Sequence, residues 1–244
     1  MQIIITESYA ESCVKAAEVI RDVVRAKPDA KLGLATGSTP VPIYQALIEM
    51  NRRGDIDFSA VRTVNLDEYS GISGDHPQSY RYFMDSNLFN HVNIDKANTY
   101  VPSGTGDAAQ NTRELDEKVF EGGVTDVQLL GIGNNGHIAF NEAGNSLTAE
   151  SHIEHLTENT IQANSRFFNT PQEVPTTAIT MGMKGILAAK LALLVATGTG
   201  KAEAMRGLLC DGTITTQNPA TFLKLHPHAV VIIDKELAAL AGVK

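Results

Sequence analysis

Thiols are nearly missing from this chain. Its two cysteines, Cys13 and Cys210, stand far apart and form no C-x-x-C pair. That excludes a disulfide framework and a thiolate zinc site, and it fits a reducing compartment. Positive charge is also short: 20 Lys and Arg against 28 Asp and Glu leave a formal net charge of −8. With no basic run to neutralise phosphates, general nucleic-acid binding is not expected, and an anionic ligand needs a locally positive pocket. Long apolar runs are absent too. The longest, Ile186–Ala196, is interrupted by Lys190 and is too short to span a bilayer. The start, Met-Gln-Ile-Ile-Ile-Thr, lacks the basic opening and apolar core of a signal peptide and reads as a first strand. His76, His91, His152, His155, His226 and His228 have no metal-ligand spacing, and the H-x-E…P-C-x-x-C pattern of zinc deaminases is absent. The expectation is a cytoplasmic protein with no metal, no membrane contact and no nucleic-acid partner.

What is present is an alternation of strand-like and helix-like runs. Strands are expected at Gln2–Ile5, Lys31–Ala35, Val61–Leu66, Val127–Ile132, Thr177–Thr180, Leu191–Ala196 and Ala229–Ile233. Several are continuously apolar, as strands covered on both faces must be. Helical spacing marks Ser8–Arg25, Pro42–Arg53, Ser79–Phe89, Ala108–Glu121 and Lys201–Leu209. The pattern implies an α/β fold whose mostly parallel sheet carries helices on both faces. At 244 residues and 43% hydrophobic content, one well-packed domain over 1–244 is expected. The stretch from Glu142 to Pro175 is the least regular and reads as a flap or excursion.

The densest chemistry lies in 127–144, where an apolar strand runs into Gly131-Ile-Gly-Asn-Asn-Gly-His-Ile-Ala-Phe-Asn-Glu142. Such a turn delivers Asn135, His137 and Glu142 to the carboxyl edge of a sheet, where open α/β folds bind ligands. A histidine oriented by an amide or carboxylate moves protons near neutral pH. The same glycines spell G-x-G-x-x-G, but no amphipathic helix follows. The residues about 20 positions on, Ser151–Thr160, are polar and no convincing strand, so the dinucleotide reading fails. Thr36-Gly37-Ser38-Thr39, ahead of Pro40 and Pro42, combines backbone N–H groups, hydroxyls and a helix start into an anion site, without the Gly-Lys-Ser/Thr of a Walker motif. Lys201, at another strand-to-helix turn, can supply a point charge, and Arg166, a charge just before two aromatics, is either a second cation or a structural anchor. Asp67, just past a strand end in Asn65-Leu-Asp-Glu-Tyr69, can serve as a general base.

Leu34–Pro40, Asn65–Tyr69, His76–Tyr80, Gly131–Glu142, Asn164–Phe168 and Leu225–Pro227, in that order along nearly the whole chain, resemble the glucosamine-6-phosphate deaminase family. The resemblance implies a Rossmann-like three-layer α/β/α sandwich. It also implies aldose–ketose isomerisation with deamination, turning glucosamine 6-phosphate and water into fructose 6-phosphate and ammonia in amino-sugar catabolism. The enzyme would be a metal-independent hydrolase/isomerase needing no cofactor. It gives Asp67 the proton transfer from C2 to C1 and His137 the ring opening, with Asn135 and Glu142 orienting His137. It gives Thr36, Gly37, Ser38, Thr39, Arg166 and Lys201 the phosphate, and makes the segment around 76–90 a lid.

Two departures bear on regulation. Activated, hexameric members have basic residues where this chain has Ser151-His-Ile-Glu-His-Leu156, and they carry a C-terminal extension beyond the position of Lys244. A monomer or small homo-oligomer without effector control is therefore expected. Two rival readings are a 6-phosphogluconolactonase-like hydrolase and a non-enzymatic sugar-phosphate-sensing domain. The first needs neither a base at C2 nor an acid like Glu142. The second would carry a helix-turn-helix ahead of the first strand and sits poorly with the acidic balance.

Overall fold

The computed structural model describes residues 1–165, 168, 170 and 173–243. In chain order the strands are β1 (Gln2–Thr6), β2 (Lys31–Leu34), β3 (Arg62–Asn65), β4 (Asp67–Tyr69), β5 (Thr99–Tyr100), β6 (Val127–Leu130), β7 (His152–His155), β8 (Thr177–Thr180), β9 (Ala192–Ala196) and β10 (Ala229–Asp234). The α-helices are α1 (Tyr9–Ala26), α2 (Pro40–Arg52), α3 (Tyr80–Met84), α4 (Ala108–Phe120), α5 (Glu158–Asn164), α6 (Met183–Ala188), α7 (Ala202–Leu209) and α8 (Lys235–Ala241). None of the described helices is long and apolar enough to cross a membrane.

Seven strands form one sheet in the order β1-β10-β9-β6-β2-β3-β5, with every neighbouring pair parallel. Parallel neighbours need long crossovers, and the helices supply them. Strands β2, β6 and β9 are buried at every position, which is why their sequences are unbroken apolar runs apart from Lys31, Gly33 and Gln128. Helix α1 shows the complementary pattern. Ser8 caps it by accepting a hydrogen bond from the Glu11 N–H, and Cys13, Ala16, Ala17, Ile20 and Val24 form its buried stripe. The stripe joins a hydrophobic cluster that extends from Cys13 to Ala241.

The layout fixes where ligands can bind. From β2 the chain steps to β3 on one side, whereas β6, β9 and β10 build outward on the other, so the order reverses at β2. Because the strands are parallel, the loops after β2, β3, β6 and β9 leave from a single edge, beside this switch point.

Three expectations need correction. Thr177–Thr180 is a strand, but it belongs to a separate three-stranded antiparallel sheet, β4-β8-β7. Residues 152–155, read as no convincing strand, form β7. Neither β4 (Asp-Glu-Tyr) nor β7 (His-Ile-Glu-His) has an apolar alternation of its own. They hold by pairing with β8, over a small cluster of Tyr69, Phe140, Leu156 and Ala178. The supposedly irregular stretch after Glu142 therefore contains a strand and helix α5. The helix expected over Ser79–Phe89 is α-helical only to Met84 and continues as a π-helical turn, Asp85–Phe89.

Candidate active site

A cavity of about 200 Å³ opens at the carboxyl edge of the sheet. Thr36, Gly37, Ser38 and Thr39 reach it from the loop after β2, Asp67 from β4, Gly133 and His137 from the turn after β6, and Lys201 from the turn after β9. Tyr80, Phe140 and Thr160 complete its walls. A larger cavity, about 240 Å³, lies at the opposite ends of β2 and β3 beside Arg62 and Tyr100. Its buried ammonium, Lys31, donates to the carbonyls of Lys118, Val119, Glu121 and Gly123 at 2.6–3.1 Å. That group closes the C-terminus of α4 rather than facing a ligand.

The loop after β2 is held from behind. The Tyr44 hydroxyl donates to the Ala35 carbonyl at 2.5 Å, and the Tyr9 hydroxyl donates to that of Thr39 at 2.8 Å. Gly37 has φ = +97°, a conformation that side chains disfavour. Helix α2 opens directly behind this loop with prolines in its first turn and no side-chain cap. Its N-terminus therefore faces the cavity beside the hydroxyls of Thr36, Ser38 and Thr39, which suits an anion. Lys201 ends a short 3₁₀ turn, Thr199–Lys201, and lines the same cavity.

His137 is set by its turn. A Cβ at Gly133 would stand 2.3 Å from the His137 ring, so only glycine lets the ring lie against the backbone there. Ala139, two residues on, takes φ = +51°, a strained value that bends the chain toward Glu142. The Glu142 carboxylate lies 3.3 Å from His137 Nδ1, within ion-pair range but not aligned for an N–H···O bond. The Asn135 side-chain amide donates to Glu142 at 2.8 Å, and its oxygen accepts the backbone N–H of His137 at 3.3 Å. Thr160 of α5 also donates to Glu142 through a short hydrogen bond. Burial pushes Glu142 up, but His137, Thr160 and Asn135 outweigh it and hold the carboxyl down to about 2. Glu142 is thus a fixed negative charge behind the imidazole.

Asp67 faces the opposite condition. It is 6% exposed, and burial, followed by the charge of neighbouring Glu68, pushes it up to about 8. A carboxylate made this basic is suited to removing a proton from carbon. The site therefore joins two carboxyl environments pushed apart, Asp67 lining the cavity and made basic, Glu142 behind His137 and kept charged, which is the usual mark of divided acid–base roles.

Of the residues singled out from sequence, Thr36, Gly37, Ser38, Thr39, Asp67, His137 and Lys201 line one cavity, and Asn135 and Glu142 stand behind His137. Arg166 lies outside the described residues. Tyr80, Phe140 and Thr160 were not singled out individually. Thr160 carried a faint signal, because Thr157 three residues earlier caps α5 by accepting the Thr160 N–H. Among the described residues, no three His, Cys, Asp or Glu side chains form a group that could hold a metal ion.

Comparison with known proteins places the chain in a family. The model of the family described as glucosamine-6-phosphate isomerases/6-phosphogluconolactonase matches residues 6–232. A glucosamine-6-phosphate deaminase of Clostridium beijerinckii is 52% identical over 239 residues, covering 98% of each chain. That of Thermoanaerobacter pseudethanolicus is 52% identical over 241 residues, covering 98% of this chain and 95% of the relative. Among solved structures, a monomeric glucosamine-6-phosphate deaminase superposes with a TM-score of 0.95 at 42% identity, over 98% of this chain and 100% of its own. A 6-phosphogluconolactonase from Thermotoga maritima reaches 0.77 at 17% identity, over 96% and 99% of the two chains, a likeness of fold alone.

Proposed function

The chain belongs to the family of glucosamine-6-phosphate isomerases and 6-phosphogluconolactonases, and from that membership we infer that it is a glucosamine-6-phosphate deaminase. The observation that carries this choice within the family is Asp67, a buried and basic carboxyl lining the same cavity as His137, behind which Glu142 stands. Lactone hydrolysis has no use for a base at C2.

The residues support the following division of work. The phosphate of the sugar sits at the Thr36–Thr39 turn and the N-terminus of α2, with Lys201 as counter-charge and Arg166 as a second cation. That contact is remote from the reacting carbons and supplies positioning energy. His137, held by Asn135 and Glu142, takes the proton of the anomeric hydroxyl and returns one to the ring oxygen, which opens the ring. Asp67 then takes the C2 proton and delivers it to C1. The electron pair left at C2 moves into the C1 carbonyl, whose oxygen takes a proton from the C2 ammonium to give an enolamine, and protonation at C1 yields the ketimine. Water adds to that imine and ammonia leaves, giving fructose 6-phosphate. The overall change is therefore an isomerisation joined to hydrolysis of a C–N bond. The substrate's ammonium at C2 lowers the Asp67 pKa on arrival and favours the ionised base.

No step requires a metal or cofactor. We further propose a cytoplasmic, single-domain protein, monomeric or a small homo-oligomer. One assay separates the readings: glucosamine 6-phosphate and 6-phosphogluconolactone are offered to the same preparation, before and after exhaustive chelation. Ammonia with fructose 6-phosphate, insensitive to chelation, is expected. Lactone hydrolysis without ammonia would favour the hydrolase instead.

A further inference from the structure

Glu68 is a buried carboxyl that the proposed reaction leaves unused. Successive residues of a strand point to opposite faces, so Asp67 turns toward the cavity while Glu68, 1% exposed, turns away. There it meets the start of α3. The Tyr80 N–H donates to both carboxylate oxygens at 2.9 Å, the Arg81 N–H donates at 3.1 Å and the Ser79 hydroxyl at 2.7 Å. The Tyr69 N–H adds a bond at 2.9 Å from within β4. Backbone N–H groups can only donate, so this set fits a carboxylate. Ser79 in turn caps α3, accepting the Arg81 and Tyr82 N–H groups at 3.0 and 3.4 Å. The Arg81 side chain is engaged elsewhere, with Asp85 and Thr99.

The first turn of α3 is thereby bolted to β4, the strand that carries Asp67. Its product is the placement of Tyr80, which lines the cavity beside Asp67. The Tyr80 ring lies 4.8 Å from that of Tyr69 and stacks at 6.2 Å, nearly parallel, on Phe140. We propose that Glu68 is a positioning residue: by clamping Ser79–Arg81 onto β4 it fixes the aromatic wall that keeps Asp67 out of water. This rests on the reading of Asp67 as the base at C2.

Two effects of one sign follow at Asp67. Burial behind the wall raises its pKa, and the Glu68 charge raises it further. The other charged or titratable groups facing Asp67 are Tyr44 from α2, Tyr69 from β4, Tyr80 from α3, His137 from the turn after β6 and Lys201 from the turn after β9. None of these groups is itself substituted when Glu68 alone is changed.

The test uses the full chain with Glu68→Gln and Glu68→Asp. The acid limb of kcat/KM on glucosamine 6-phosphate is read alongside hydrogen exchange over residues 76–90. Glu68→Gln removes the charge and sets an amide against N–H donors. Its acid limb should move at least about one unit to lower pH, kcat should fall about tenfold, and exchange at Tyr80 and Arg81 should accelerate. Glu68→Asp keeps the charge on a shorter arm and should restore most of the limb while exchange stays raised. An unmoved limb in folded Glu68→Gln, or identical limbs in the two variants, overturns the proposal. If Glu68→Gln does not fold, Ser79→Ala decides. It removes one donor to Glu68 together with the cap of α3 and leaves the charge, so the expected rise in exchange is read at Tyr80, whose N–H donates to Glu68 and not to Ser79; unchanged exchange there overturns the clamp. A wild type that releases no ammonia defeats the proposed function itself, whereas an active wild type with an unmoved Glu68→Gln limb defeats only this inference.

Discussion

At the residue scale the site depends on two carboxyls pushed in opposite directions, and each leaves a trace in stability as well as in rate. Asp67 is raised from 3.8 to about 8 in the folded chain. Below about pH 4 it is protonated whether folded or unfolded, and no cost arises. As pH rises toward 8 the unfolded chain ionises first, so folding loses stability. Asp67→Asn should therefore match the wild-type melting temperature near pH 4 and exceed it at pH 8; equal values at both would deny that the carboxyl is held in a dry site. Glu142, lowered from 4.5 to about 2, has the reverse sign: its contribution is present above 4.5 and lost as pH falls toward 2. Glu142→Gln should cost about 2 kcal/mol at neutral pH, with the deficit vanishing by pH 2 in urea titrations. Gly133→Ala probes the turn, because its methyl would stand 2.3 Å from the His137 ring. The ring must move, and turnover should drop at least about 10²-fold with circular dichroism unchanged. Normal turnover would mean that His137 tolerates displacement.

Elements bring these residues together, and not all of them were legible beforehand. Strands β2, β6, β9 and β10 announced themselves because burial on both faces writes a continuous apolar run. Thr36, His137 and Lys201 then followed as residues just past strand ends. The antiparallel sheet β4-β8-β7 left no such mark, since β4 and β7 are polar and acquire their conformation from β8. Nothing local signals pairing of that kind. Sequence therefore named Asp67 but not the clamp beneath it, and it named Glu142 but not Thr160, which reaches it from α5 across 18 positions. The turn after β9 offers its own check. Lys201→Ala should raise KM for glucosamine 6-phosphate several-fold or more, and unphosphorylated glucosamine should be a very poor substrate. Equal efficiency on the two sugars would remove the phosphate from the account.

Across the whole molecule, the surface bears on assembly and regulation. An anionic effector needs cationic groups that bind it better in one state than in another. On β7 the Glu154 carboxylate pairs with His152 at 3.1 Å, and His155 is exposed beside them. A carboxylate in that position repels a phosphate. On edge strand β1, Ile3 and Ile5 are each 40% exposed, but two apolar side chains are ordinary for a protein surface. We expect a monomer in sedimentation, with hyperbolic kinetics that N-acetylglucosamine 6-phosphate leaves unchanged. Sigmoidal curves relaxed by that compound, in a larger assembly, would contradict this.

The proposed transfer of the C2 proton to C1 by Asp67 is followed by offering glucosamine 6-phosphate, deuterated at C2, to wild type and to Asp67→Asn. Ammonia, fructose 6-phosphate and the isotope at C1 are followed together. Wild type should release the two products in equal amounts, with part of the deuterium carried to C1. The variant should bind the sugar but turn over at least about 10²-fold more slowly. Near-wild-type turnover by Asp67→Asn would assign the base to another residue and contradict the account.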